Sequence, residues 1–302
     1  MERNLDASSG AHHVALRNNA HAGSTARGLS NWGGESSFNS VLNELGAQLG
    51  EAEINVEHLH VRPGSGQYTI RLGELPALAA CDSYLLARQI IESTAARHGL
   101  RVTLHPKPLP DCTNNSVHVR ISMNPSIAYR HFYAGILSHL PALTAFTYAS
   151  PVSYARKTDE HWNSPHWIGW GTDNRVTPLR KCEEGCWEFR LLDGLPNPYL
   201  ALAAILEAGT NGFRKKTPLT PWGDCKQDPN LLEKKAREKL GITEEVPKEL
   251  SEALHALEDD GDFATLLTED VVKRYLEVKK REIDLLEAMT DENRRHWIID
   301  RF

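Results

Sequence analysis

Three short segments of the sequence alternate between apolar and polar residues, which is the pattern of a β-strand with one buried face. The segments are SVHVRIS (116–122), WEFRLL (187–192) and QYTIRL (67–72). Their polar faces carry, in that order, Ser116, His118, Arg120 and Ser122; Glu188 and Arg190; and Gln67, Thr69 and Arg71. One such strand alone is typical of a sheet face in contact with water. Three strands that present His, Glu and several Arg favour instead one face that binds an anionic, metal-linked ligand.

Helical periodicity and further strand-like runs fill most of the remaining chain. The other predicted strands are 53–61 and 101–105, and the predicted helices are 41–49, 78–98, 128–139 and one that opens at Asn197. After that helix the sequence is helical and more charged, with its clearest amphipathic stretch at 273–289. Strands and helices therefore alternate along the chain, and helices dominate its C-terminal region.

Residues 1–35 differ in composition from the rest of the chain. They are rich in Ser, Gly, Asn, His and Ala and have few large apolar side chains before Trp32. Such a segment can bury little apolar surface, so we expect a flexible N-terminal arm at 1–35. We expect residues 36–302 to form the folded domain, because a remainder of this length can bury a sizeable core.

The balance of charges limits the classes of partner. The 302 residues include 34 Lys and Arg against 40 Asp and Glu, which gives a net charge of -6 at pH 7. The sequence has no excess of basic residues of the kind that indicates a nucleic-acid partner. It also has no run of about 18 apolar residues of the kind that indicates a membrane span. The polar opening MERNLDASSG also lacks the apolar core of a signal peptide. We therefore expect a cytoplasmic protein with a small-molecule ligand and with neither nucleic acid nor membrane as a partner.

Six segments of the chain resemble the catalytic domain of glutamine synthetase, in the order in which that family carries them. They are VEHLHVRPGSGQY (56–68), HGLRVTLHPKP (98–108), SVHVRIS (116–122), HLPALTAFTYASPVSYAR (139–156), GWGTDNRVTPLR (169–180) and WEFRLLDGLPNPYLALAAILEAG (187–209). Several segments in the family's order are far more specific than any single motif. The chain is most similar to the glutamine synthetase-like proteins of filamentous fungi.

The resemblance implies a fold, a reaction and a set of ligands. The implied fold is α+β, with a curved antiparallel sheet backed by helices. The implied activity is that of an ATP-dependent ligase of the glutamate–ammonia type, which forms an amide through an acyl phosphate. The implied ligands are ATP, magnesium, an amino-acid carboxylate and ammonia or another amine.

The resemblance also implies roles for six residues of this chain. Arg156 and Arg190 match the family's substrate-binding arginines, and Arg175 and Arg180 match the pair that contacts the nucleotide phosphates and the transferred group. Arg156 and Arg175 are thereby implied in catalysis. His118 and Glu188 match two ligands of a metal that bridges the phosphates. Arginine suits such roles because its planar guanidinium binds carboxylate or phosphate through two hydrogen bonds.

Departures from the family pattern weaken the implied metal site. Arg62 and Thr69 stand where the family has glutamate ligands for its first metal, and Arg120 replaces the second histidine of the family's His-x-His strand. A guanidinium repels a divalent cation that a carboxylate would attract. The family's Glu-x-Glu strand and its small N-terminal domain also have no counterpart in this sequence.

Two classes of function therefore remain open. The first is a carboxylate–amine ligase with a degenerate metal site, and the second is a non-catalytic relative that binds a nucleotide or a partner. Because the N-terminal domain closes a neighbour's active site in the family's rings, its absence predicts a monomer or a small oligomer.

Overall fold

The computed structural model describes residues 5–8, 11–18, 35–61, 66–108, 114–123, 129–158 and 165–302. Its strands are β1 (Leu5–Ser8), β2 (Ala11–Asn18), β3 (Val56–Val61), β4 (Gln67–Leu72), β5 (Glu74–Pro76), β6 (Leu100–Thr103), β7 (Val117–Met123), β8 (Trp170–Thr172), β9 (Leu179–Glu183) and β10 (Cys186–Leu192). They form one sheet with the order β3-β4-β2-β7-β10-β9-β8, to which β1, β5 and β6 add further pairs. The strand pairs of the described residues are antiparallel, as expected, except that β8 and β9 run parallel.

Two strands lie inside the segment that was expected to be a flexible arm. Strand β1 pairs with β5 and β7, and β2 lies in the sheet between β4 and β7. The expectation is therefore wrong for residues 5–8 and 11–18. Composition misled because backbone hydrogen bonds, which every residue except proline can donate and accept, join a strand to its neighbours without large apolar side chains.

Ten helices accompany the described part of the sheet. They are α1 (Glu35–Glu51), α2 (Ala77–Arg97), α3 (Tyr129–Ser138), α4 (Leu140–Thr147), α5 (Pro198–Lys215), α6 (Lys234–Lys239), α7 (Leu250–Asp259), α8 (Gly261–Leu266), α9 (Glu269–Glu287) and α10 (Asp291–Ile299). Helix α5 begins where the sequence predicts, because the Asn197 side chain accepts hydrogen bonds from the amides of Tyr199 and Leu200 at 2.9 and 3.2 Å. No helix among the described residues combines the length and the apolar composition of a membrane span.

The main core lies between the apolar face of β10 and helices α3, α4 and α5. Trp187 and Phe189 of β10 are buried there. The rings of Trp187 and Tyr133 stack with their centroids 4.4 Å apart, and the Tyr133 hydroxyl accepts a hydrogen bond from the Trp187 amide at 3.1 Å. This contact fixes β10 against α3, and thereby fixes the positions of the polar residues on the opposite face of the strand.

Helices α3 and α5 cross with their backbones in contact. A Cβ atom added at Gly135 would lie 2.6 Å from the Cα of Gly212 and 2.4 Å from the carbonyl oxygen of Ala208. Only glycine can occupy such a position without moving one helix away from the other.

Candidate functional site

Strand register brings the polar residues of three neighbouring strands together. Glu188 of β10 lies opposite Arg120 of β7 on one side and opposite Arg180 of β9 on the other. Arg190 follows Glu188 by two residues and therefore lies on the same face of the sheet. These four residues, together with His118 of β7, are named the Glu188 cluster below.

Guanidinium groups engage both carboxylate oxygens of Glu188. Oε1 accepts a hydrogen bond from Nη1 of Arg190, and Oε2 accepts one from Nε of Arg120 at 3.3 Å. Nη1 of Arg180 lies 3.8 Å from the same Oε2 atom. Glu188 is only 5% exposed, so these arginines largely take the place of water around its carboxylate.

The arginines keep the Glu188 carboxylate ionised. Burial alone raises its pKa, but the charges of Arg190, Arg180 and Arg120 outweigh burial and hold the pKa below its ordinary value. The cluster therefore contains one negative charge and three positive ones. Its local surplus is positive, and an anion is the ligand that such a surplus attracts.

His118 and Glu188, the pair implied as metal ligands, do lie near each other. Nδ1 of His118 is 3.8 Å from Oε1 of Glu188, but it is also 3.4 Å from Nη1 of Arg190. A cation between the two side chains would therefore approach a guanidinium as closely as it approached its ligands. The described residues contain no group of three or more His, Cys, Asp or Glu that could hold a metal ion.

The residues expected on β4 do not join the cluster. Strand β2 separates β4 from β7, and Thr69 is buried on β4 with a neutral hydroxyl in place of a carboxylate. Arg62 lies outside the described residues. The side chains present, one carboxylate whose charge is compensated by three guanidiniums, do not fit a divalent metal ion.

The loop between β8 and β9 positions two of the expected phosphate-binding arginines. Asn174 holds the loop, because its Nδ2 donates to the carbonyls of Cys225 and Gln227 at 2.7 and 2.8 Å. Arg180 donates from Nη2 to Asp173 at 2.9 Å. Arg175 contributes its carbonyl, which accepts a hydrogen bond from Nε of Arg190 at 2.9 Å, while its side chain is exposed. The loop thus borders the cluster and leaves the Arg175 guanidinium accessible.

Arg156 occupies a separate buried position at the end of β10. Its Nη1 donates to the Tyr148 hydroxyl at 3.2 Å and to the Leu192 carbonyl at 3.1 Å, and the residue is fully buried. Nε and Nη2 have no hydrogen-bond partner among the described residues. None of the contacts described for Arg156 involves the Glu188 cluster, so the structure does not bring all six expected residues together.

Two residues near the site were absent from the set that the sequence implied. Arg120 had a signal, because strand alternation places it on the same face as His118. Asp193 follows β10 directly and is buried; burial raises the pKa of its carboxyl, and the charge of Arg156 opposes that effect. The sequence signal for Asp193 was the position of an acidic residue directly after a predicted strand.

Comparison with known proteins shows the family to which the chain belongs. The family model described as the glutamine synthetase catalytic domain matches residues 2–298. The chain belongs to the glutamine synthetase family. Family membership accounts for the α+β fold and for the order of the six segments described above.

Curated relatives cover most of this chain. Protein fluG of Emericella nidulans is 38% identical over 87% of the chain and 30% of its own length. Gamma-glutamylpolyamine synthetase GlnA3 of Streptomyces coelicolor is 30% identical over 82% of the chain and 58% of its length. Glutamine synthetase of Pyrococcus abyssi is 31% identical over 87% and 64%. The chain thus spans between about a third and two thirds of these relatives' lengths.

Solved structures share the fold. A GmaS–ADP complex superposes with a TM-score of 0.82 at 24% identity, covering 99% of this chain and 73% of that one. Plasmodium falciparum glutamine synthetase gives a TM-score of 0.77 at 21% identity, covering 97% and 75%. These similarities place the observed sheet and helices in the glutamine synthetase fold.

Proposed function

We propose that this chain binds the phosphate groups of a nucleotide through the arginines of the Glu188 cluster and does not catalyse metal-dependent ligation. The observation that carries the proposal is the engagement of both Glu188 oxygens by Arg120 and Arg190. A carboxylate whose two oxygens both accept hydrogen bonds from guanidiniums has its charge compensated, so it attracts a divalent cation only weakly. The positive surplus around it can still compensate phosphate oxygens.

Arg175 and Arg180 are the proposed phosphate contacts. The Arg175 side chain is exposed beside the cluster, and Arg180 is held within it by Asp173 and Glu188. Guanidinium groups bind phosphate oxygens in pairs of parallel hydrogen bonds, which are stronger than hydrogen bonds between neutral groups. This proposal agrees with the order of family segments, in which the same two positions match phosphate-contacting arginines.

The second candidate is an ATP-dependent carboxylate–amine ligase with a degenerate metal site. Family membership favours it, as does the similarity to a relative whose name is gamma-glutamylpolyamine synthetase. In such a reaction the carboxylate oxygen attacks the γ-phosphorus of ATP, and ADP leaves. The amine nitrogen then attacks the acyl carbon and loses a proton to solvent, and phosphate leaves with the electron pair of the broken bond.

Two measurements on the purified chain separate the candidates. Calorimetric titration with ATP should detect binding that changes little when magnesium is added. Arg180→Ala should weaken ATP binding by about 10-fold to 100-fold, because it removes a charge-assisted contact worth roughly 1.5 to 3 kcal/mol. Arg274→Ala, on the exposed face of α9, is the matched control and should leave binding unchanged.

A phosphate-release assay decides about turnover. Glutamate with ammonium, and glutamate with a polyamine, should release no phosphate from ATP above the rate without substrate. Phosphate release that requires both the carboxylate and the amine would contradict the proposal and establish the ligase. Absence of ATP binding would reject the nucleotide-binding function.

We also propose a cytoplasmic location. Cys81, Cys182, Cys186 and Cys225 are free thiols, as is usual in a reducing compartment. The expected monomer or small oligomer stays a prediction, and light scattering that gave eight or more subunits would contradict it.

A further inference from the structure

We infer that Arg120 acts as a built-in cation that excludes divalent metals from the His118–Glu188 pair and makes the site selective for anions without a bound metal. The identity of the anion as a nucleotide phosphate rests on the function proposed above. The exclusion of metal does not, because it follows from the contacts of Arg120 and Glu188 alone.

Register places the Arg120 guanidinium over the carboxylate. Arg120 and Glu188 are direct cross-strand partners between β7 and β10, and Nε of Arg120 lies 3.3 Å from Oε2 of Glu188. Side chains opposite each other in neighbouring strands stay in contact because the backbone pairing fixes their distance. A metal that used Oε2 would have to displace this guanidinium and then remain close to it.

Accessibility distinguishes Arg120 from the other two arginines. The side chain of Arg120 is 24% exposed, that of Arg180 is 16% exposed, and those of Arg190 and Glu188 are each 6% exposed. Arg120 is therefore the member of the cluster that a ligand from solvent can contact most readily while Arg190 still holds the carboxylate.

Local charge favours an anion that brings no metal of its own. Arg120, Arg180 and Arg190 contribute three positive charges, and Glu188 and the exposed Asp173 contribute two negative ones. A free phosphate group presents its full negative charge to this surplus. A magnesium-bound phosphate presents less negative charge, and its cation is repelled by the guanidiniums.

Titration with Mn²⁺ alone tests the exclusion without any nucleotide. Free Mn²⁺ gives an electron paramagnetic resonance signal that is lost on binding. The wild-type chain should leave the signal unchanged up to millimolar Mn²⁺. Arg120→His should bind Mn²⁺ at least 10-fold more tightly than the wild type, because it frees Oε2 and adds an imidazole ligand. Arg120→Gln, which removes only the charge, should show a smaller gain.

Controls keep the test decisive. Arg274→Gln on α9, which removes an exposed guanidinium beside Asp270 and adds no imidazole, is the control for Arg120→Gln and should gain no Mn²⁺ binding; circular dichroism of each variant verifies that it is folded. Should Arg120→His fail to fold, the gain in Arg120→Gln decides alone. Mn²⁺ binding by the wild type that equals binding by the folded Arg120 variants would overturn the inference.

Titration with ADP, in chelator and then in excess magnesium, tests the choice of anion. Wild-type chain should bind ADP at least 5-fold more tightly in chelator, and Arg120→His should reverse this preference. An equal affinity in both conditions, or a preference for magnesium–ADP, would overturn the selectivity. A chain that binds no ADP but still excludes Mn²⁺ would reject the proposed nucleotide function while supporting the role of Arg120 in metal exclusion.

Discussion

The two faces of β10 are almost equally buried but contribute differently to the free energy of folding. On one face Trp187 and Phe189 are at most 1% exposed, and on the other Glu188 and Arg190 are 5% exposed. The apolar face gains free energy from every unit of area that it removes from water. The charged face loses hydration, and only the attraction between its own charges offsets the free-energy cost of that loss. Burial therefore does not distinguish the two faces, whereas a surplus of positive charge does.

This difference also separates residues that specify the fold from residues that support a function. Buried ion pairs are weak evidence for stability, because well-packed apolar residues of similar volume are often as good or better. Three arginines around one glutamate exceed what a structural ion pair needs. The excess supports the anion-binding role proposed above.

Truncation of the apolar face should have the largest effect on stability. Phe189→Ala should lower the free energy of unfolding by about 3 to 5 kcal/mol, because it leaves a cavity against α3 and α5. Urea denaturation followed by circular dichroism measures the loss. Phe302→Ala is the matched control at an exposed position and should cost clearly less. Equal losses in the two variants would contradict the assignment of the main core to this face.

Neutralisation of the charged face should have the next largest effect. Glu188→Gln removes the carboxylate that Arg120, Arg180 and Arg190 share, and we expect a loss of about 3 kcal/mol at pH 7. The low pKa of Glu188 in the folded chain means that its contribution is present above about pH 4.5 and lost as the pH falls through that lowered pKa. Wild type and variant should therefore converge in urea denaturation below pH 4.5. A constant difference across this range would show that charge is not the cause.

Low pH should lower the free energy of unfolding through a residue that lies on neither face of β10. His105 is buried, and burial together with the charge of Arg295 lowers its pKa to about 4, while its Nδ1 accepts a hydrogen bond from the Lys107 amide at 3.0 Å. The unfolded chain takes up this proton near pH 6.5 and the folded chain only near pH 4, so stability should fall within that interval by up to about 3 kcal/mol. His105→Asn should remove this part of the pH dependence of unfolding. The exposed His255→Asn is the control and should retain it.

Loss of an exposed ion pair should have the smallest effect on stability. Nε of Arg274 lies 3.0 Å from Oδ2 of Asp270 on α9, and both side chains are about three-quarters exposed. Arg274→Ala should change the free energy of unfolding by no more than about 0.5 kcal/mol, because water screens the pair. A loss near that of Glu188→Gln would mean that burial does not distinguish the two arginine environments.

Periodicity in the sequence was sufficient to predict most of the fold. The runs at 67–72, 116–122 and 187–192 correspond to β4, β7 and β10 within one residue at each end, and the helix at 78–98 corresponds to α2. Strands β1 and β2 escaped prediction because their pairing depends on backbone hydrogen bonds with distant partners and not on a local apolar pattern. The parallel pairing of β8 with β9 likewise depends on the path of the chain through space.

The candidate site was predictable in its residue types but not in its pairings. Alternation placed His118, Arg120, Glu188 and Arg190 on polar strand faces, and the structure brings these residues together. Which arginine meets Glu188 depends on the register between strands that are distant in sequence. The separate burial of Arg156 depends on Tyr148 and Leu192, whose convergence no local pattern encodes.

The crossing of α3 and α5 at Gly135 and Gly212 has a mechanical consequence for the site. Backbone meets backbone there, so no side chain can change rotamer to let the helices move closer, and a close-packed interior transmits strain instead of absorbing it. Helix α3 in turn carries Tyr133, which holds β10 through Trp187. The part of the sheet that carries the Glu188 cluster is therefore rigid toward α3 and α5. Any adjustment to the size of a bound anion would therefore involve the solvent side of the cluster, where the exposed Arg175 and the partly exposed Arg120 lie.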